Sequence, residues 1–226
     1  MKREGSLEEI SDGRLYGPDD LVKADCGGCE GCSACCHNMG DTVVLDPFDF
    51  DRISRHLGWT PEDLLNSKII DLHVEEGMIL PHLPTVGSEN ACVFLNEEGR
   101  CGIHIARPGI CRLFPLGRYY EGNSFRYFLQ IHECRKKSRA KIKVKKWLDT
   151  PDLAEYEKYV RSWHGFVSEV KIKVRSMQDS AEMRKMNLAV LQLFYLKPYS
   201  GADNFYQQFY SRLQHFRQET WKETEM

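Results

Sequence analysis

Cys26-Gly27-Gly28-Cys29-Glu30-Gly31-Cys32-Ser33-Ala34-Cys35-Cys36 is the stretch on which the reading of this chain turns. Five of the nine cysteines fall in it, and Cys26, Cys29, Cys32 and Cys35 recur at every third position. A Cys-x-x-Cys turn brings two sulfurs to one side of the backbone, where one metal can take both. Gly27, Gly28 and Gly31 allow the positive φ values that wrapping a metal requires. Neighbouring side chains in extended backbone point to opposite sides. Cys35 and Cys36 are therefore expected to serve different metals, or different irons.

The other four cysteines, Cys92, Cys101, Cys111 and Cys134, form a second group. Cys92 and Cys101 lie at opposite ends of a predicted hairpin turning at Asn96–Gly99, which would bring them together. Nine is odd, so a closed disulfide framework would leave one thiol over. None of the nine falls after Cys134. A metal-binding lobe followed by a cysteine-free lobe accounts for this distribution better than a chain-wide scaffold does. Eight thiolates would complete two four-ligand sites.

The pattern Cys29-x-x-Cys32-x-x-Cys35-Cys36, Cys92-x-Phe94-Leu95, Cys101, Arg107-Pro108, Cys111-Arg112-x-Phe114-Pro115 and Cys134 resembles the CxxCxxCC cysteine-cluster family. That family is described as zinc- or iron-chelating, its members are often labelled iron–sulfur oxidoreductases, and flagellin lysine methylase is similar over the same pattern. The resemblance spans residues 26–134. It implies Cys29, Cys32, Cys35, Cys36, Cys92, Cys101, Cys111 and Cys134 as metal ligands, to which this chain adds Cys26. Cys26, Cys29, Cys32 and Cys36 also reproduce the C-x₂-C-x₂-C-x₃-C spacing of bacterial ferredoxins, with His37 in place of the usual proline. An iron–sulfur cluster is the expected cofactor and zinc the alternative, since four thiolates suit either. The expected role is electron transfer or redox support. Its partner would be a redox protein or a protein substrate. A zinc-stabilised binding module and a protein-modifying enzyme are the other readings.

Composition bounds the rest. The chain has 226 residues, 42% of them hydrophobic, with a formal charge of -2. That is enough apolar content for a core, without the charge excess of a polyanion binder. No apolar run reaches bilayer length, and the charged start has no signal-peptide core. A cytoplasmic location is expected. No Gly-Lys-Ser/Thr phosphate loop, no G-x-G-x-x-G after a strand, no H-E-x-x-H and no C-x₃-C-x₂-C is present.

The predicted fold class is α+β: a small cysteine-rich lobe of short strands and helices, followed by a helical C-terminal lobe. Residues 1–20 are read as a flexible arm, 21–146 as the metal-binding domain and 147–226 as the helical region. A strand is expected at Thr42–Leu45. Asp46 caps a helix with Pro47 at its first position and Gly58 at its end, with Phe48, Ile53 and Leu57 on its buried face. Thr60-Pro61 opens a second helix. Hairpins are expected over 69–83 and 119–131. Three helical patterns follow, with Leu153, Tyr156, Val160, Trp163, Phe166 and Val170 on the first and Phe205, Phe209, Leu213 and Phe216 on the third. His37, His104 and His132 are candidate ligands or hydrogen-bond donors to ligands. Arg107 and Arg112, bracketing Cys111, would offset thiolate charge. The eight Lys and Arg of 135–146 read as a solvated segment, not as a specific nucleic-acid site.

Overall fold

A computed structural model describes residues 6–27, 32–136, 138–201 and 204–220. In chain order it has α1 (Leu7–Ile10), β1 (Leu21–Asp25), a 3₁₀ turn (Ala34–Cys36), α2 (Pro47–Leu57), α3 (Pro61–Asn66), β2 (Asp71–Glu75), β3 (Met78–His82), β4 (Thr85–Val86) and β5 (Ala91–Cys92). A second 3₁₀ turn (His104–Ala106), α4 (Gly109–Leu113), β6 (Leu116–Glu121), β7 (Ser124–Leu129), β8 (Ala140–Lys143) and α5 (Val144–Leu148) follow. The chain closes with α6 (Leu153–Ser176), α7 (Ser180–Leu191) running into a π-helical turn (Gln192–Leu196), and α8 (Phe205–Thr220). The fold is α+β with a helical C-terminal region. Each sheet is a two-stranded antiparallel pair: β1–β8, β2–β3, β4–β5 and β6–β7.

The elements sort into two compact units. One comprises Met1–Val43 with Leu83–Arg161; the other comprises Val44–His82 with Ser162–Met226. The long helix α6 begins in the first and ends in the second.

In the first unit β6 and β7 form a regular ladder from Leu116↔Leu129 to Glu121↔Ser124. Gly117 sits opposite Phe128, whose ring passes 2.3 Å from where a Cβ would stand. Only glycine admits that ring. Residues 6–20 carry α1 and then Tyr16, which is buried and exchanges both backbone bonds with Tyr127 (2.7 and 2.9 Å). The alternation of Ile142 and Val144 with lysines belongs to β8 and the start of α5. Leu21 pairs with Lys143 and Val22 with Ile142. Val22, Ala24, Val144 and Leu148 are buried beneath them. The basic segment thus holds β8 and the start of α5, with Lys143 and Lys145 paired to Asp19 (3.7 and 2.8 Å).

In the second unit α2 starts as its sequence requires. The Asp46 side chain accepts from the Asp49 amide (2.8 Å), Pro47 occupies the first turn, and Gly58 closes the helix at φ 66°. The buried face differs from expectation. Pro47, Asp49, Phe50 and Ile53 are inside, while Phe48 and Leu57 are half-buried. Phe48 instead stacks on Tyr206 of α8 (5.6 Å). Thr42–Leu45 makes a single bridge, Val44↔His82, rather than a strand. The apolar positions foreseen on α6 and α8 are buried, except Leu153 at the start of α6, which is half-buried. Their rings interlock: Phe166 lies 5.0 Å from Phe194 and 5.1 Å from Phe216, and Trp163 lies 5.4 Å from Phe194.

Candidate metal centre

Three short backbone links in the first unit gather the thiols. His37 bridges Ala91, and the Asn38 amide donates to the Asn90 carbonyl (2.8 Å). This lays the cysteine loop beside Cys92, which is itself registered against Thr85. The chain then turns through Asn96–Gly99 and returns. The Gly102 amide donates to the Phe94 carbonyl at 2.7 Å, and Leu95 bridges Cys101. A Cβ at Gly102 would stand 3.3 Å from that same carbonyl, so glycine permits the close return. The expected 92–103 hairpin is reduced to this one bridge. The 3₁₀ turn His104–Ala106 and α4 then carry Arg107 and Cys111 to the same place.

The result is a cavity of about 480 Å³ to which Cys32, Cys35, Cys36, Cys92, Cys101 and Cys111 all contribute. Four of them influence one another directly. The Cys36 thiol donates a hydrogen bond to the Cys35 sulfur, which brings the Cys35 thiol down to about 7, with Arg107 and His37 aiding. The same bond pushes Cys36 far up, and burial, Cys35, Cys92 and Cys101 add to the rise. Burial raises Cys92, with Cys101 and Cys35 contributing. Burial also raises Cys101, opposed by Arg107 and Arg100. Clustered thiols resist losing several protons together. A metal cation removes that resistance, because it binds the thiolates.

Several expectations need correction here. Cys35 and Cys36 do not point to opposite sides. They lie in a 3₁₀ turn, where consecutive side chains are not opposed, and their sulfurs meet. Arg107 acts on Cys35 and Cys101, but Arg112 does not line the cavity. It is buried with its guanidinium 5.4 Å above the Tyr156 ring, and it donates to the Arg107 carbonyl (3.3 Å). Arg100 is the second cation at the thiols. Cys26 and Cys134 are half-buried and outside the cavity wall, and Cys29 lies outside the described residues. The described cysteines form no disulfide with one another. His37 and His104 line the cavity; His132 does not. His37 is held between the Ser33 hydroxyl and the Glu89 carbonyl, each at 3.4 Å. Asp46 and Asp51 serve α2, as cap and as ion-pair partner of Arg55 (2.7 Å).

Among the described residues no three His, Cys, Asp or Glu groups stand at metal-ligand geometry. The donor chemistry nevertheless fits a thiophilic metal: four thiols from three chain segments, with two arginines to balance charge. The aromatic wall was not legible in the sequence. Trp147 reaches the cavity because its indole N–H donates to the Leu113 carbonyl at 3.2 Å, locking α5 onto α4.

These thiols belong to a recognised class of cysteine domain. Residues 28–146, more than half of the chain, match the CxxCxxCC family, described as "Putative zinc- or iron-chelating domain". The chain belongs to that family, and a metal-binding role follows from it. No curated protein and no solved structure matches the chain. No helix among the described residues is long and apolar enough to cross a membrane.

Proposed function

We propose that the thiol-lined cavity holds an iron–sulfur cluster through Cys35, Cys36, Cys92 and Cys101, and that the protein carries electrons to or from a partner. The observation that carries this reading is that those four thiols, brought from three chain segments, line one cavity. Four thiolates suit zinc as well. The family description names iron beside zinc, and a cavity of about 480 Å³ admits the larger group. The cluster, when bound, supplies a one-electron couple. The protein's part is to shield it and to set its potential through nearby charge and hydrogen bonds. Arg100 and Arg107 supply that charge. The reading requires a reducing compartment, where thiols stay free, and a cytoplasmic location meets that need.

Protein purified without air tests this through iron, zinc and acid-labile sulfide per chain, together with its visible spectrum. Iron and sulfide in comparable amounts, with a brown chromophore that bleaches on reduction, are expected. Colourless protein with one zinc per chain would replace the redox reading with a structural one.

A further inference from the structure

The cavity has more room than a metal centre uses. At a water's share of liquid volume, about 30 Å³ per atom, the eight iron and sulfide atoms of a [4Fe–4S] core fill on the order of 240 Å³. About half of the 480 Å³ is left over. The full cavity falls among small-molecule sites, which run from about 300 to 1,000 Å³ with mostly apolar walls.

Beyond the thiols, the wall includes Met39, Phe94, Ile110, Phe114 and Trp147, all half-buried. Among the described residues, Phe94, Phe114 and Trp147 make no ring–ring contact, whereas the rings of the second unit interlock. Three aromatic side chains therefore line one enclosure without stacking on each other.

The charges point to an uncharged occupant. Four thiolates around a dipositive ion or cluster core leave two negative charges, and Arg100 and Arg107 cancel both. Glu133, the remaining acid of the wall, is solvent-exposed. A strongly charged ligand would meet no unbalanced counter-charge inside and would lose its hydration.

We propose that the cavity binds a small, uncharged, planar aromatic molecule beside the thiol-bound metal. The proposal rests on the metal site assigned above.

The test uses the full chain purified without air and titrated with 5-fluoroindole, followed by fluorine NMR, with unlabelled indole as competitor. Saturable binding of one probe per chain is expected, with indole-3-acetate and tryptamine each at least fivefold weaker. Met39→Trp fills the space and should weaken the probe at least tenfold without changing metal content. Phe94→Leu, which removes one ring, should weaken it at least threefold. Absence of saturable binding to the wild type, indifference to both substitutions, or tighter binding of either charged congener would overturn the proposal. Metal analysis of the same samples separates the two claims. Probe binding by a chain without metal would overturn the metal assignment and uphold the aromatic site. Metal retained without probe binding would overturn the aromatic site alone.

Discussion

Arg212→Met should destabilise the second unit without touching the metal. Arg212 is buried on α8. It donates to the carbonyls of Leu193 (2.8 Å), Lys197 (2.7 Å) and Pro198 (2.7 Å), with its guanidinium 3.6 Å over the Tyr199 ring. It thereby ties the π-helical turn, through Leu193, to the two residues that follow it, whose carbonyls lack helical partners. Hydrogen bonds from a charged donor are worth about 1.5–3 kcal/mol each, so three amount to roughly 4–9 kcal/mol. Burying the guanidinium costs several kcal/mol, which methionine does not incur. The net loss is therefore about 3 kcal/mol, or a fall in melting temperature of about 6–12 °C at this chain size. Arg212→Lys keeps the charge but cannot span three carbonyls from one ammonium, and should lose about half as much. Circular-dichroism melts, with amide exchange read over α8, measure both. Metal per chain should stay at the wild-type value, since every thiol of the site belongs to the other unit. A fall below about 2 °C would mean that water replaces the guanidinium and that the clamp is dispensable.

Further outcomes follow from the same physics. Burial lifts the Asp51 carboxyl above its usual 3.8, with Arg55 partly opposing. Its contribution is therefore full below 3.8 and lost as pH rises through the lifted value. Asp51→Asn should raise the melting temperature at pH 7 and leave it unchanged near pH 3.5; an equal gap at both would contradict this. Removing the metal should lower amide protection across 32–43 and 85–111, where short strands and turns bury little by themselves, and spare α7 and α8. Equal protection with and without metal would make it a passenger on a preformed fold. The basic segment should bind nucleic acid only weakly, losing most of it between 50 and 200 mM salt. Tight, sequence-selective binding in a gel-shift assay at physiological salt would contradict that.

What the sequence reveals depends on how local the determinant is. Asp46, Pro47 and Gly58 specify α2 among themselves, and the same holds for the capping box of Thr60 and Asp63. The long apolar periods of α6 and α8 place their buried rings correctly, because the helix repeat alone sets which face is inside. The inner face of the short α2 is decided by a distant partner: Phe50 packs against Tyr195 of the π-helical turn, 5.6 Å between rings, and Phe48 is left half-buried. Cys35 and Cys36 were misjudged because their divergence assumed extended backbone, whereas Ser33 opens a 3₁₀ turn there. Arg112 and Arg107 are indistinguishable in sequence. Only the tertiary position of Tyr156, on the distant α6, draws Arg112 away from the thiols. The interleaving of the two units, which returns at Leu83 to a fold left at Val43, has no local signal.

The central claim is that Cys35, Cys36, Cys92 and Cys101 form one metal site. It is met most directly by metal content per chain, measured without air, in single Cys→Ser variants. Cys36→Ser, Cys92→Ser and Cys101→Ser should each lose most of the bound metal, while Cys26→Ser and Cys134→Ser, outside the cavity wall, should keep it. Retention by the first three, or equal loss across all five, would contradict the assignment.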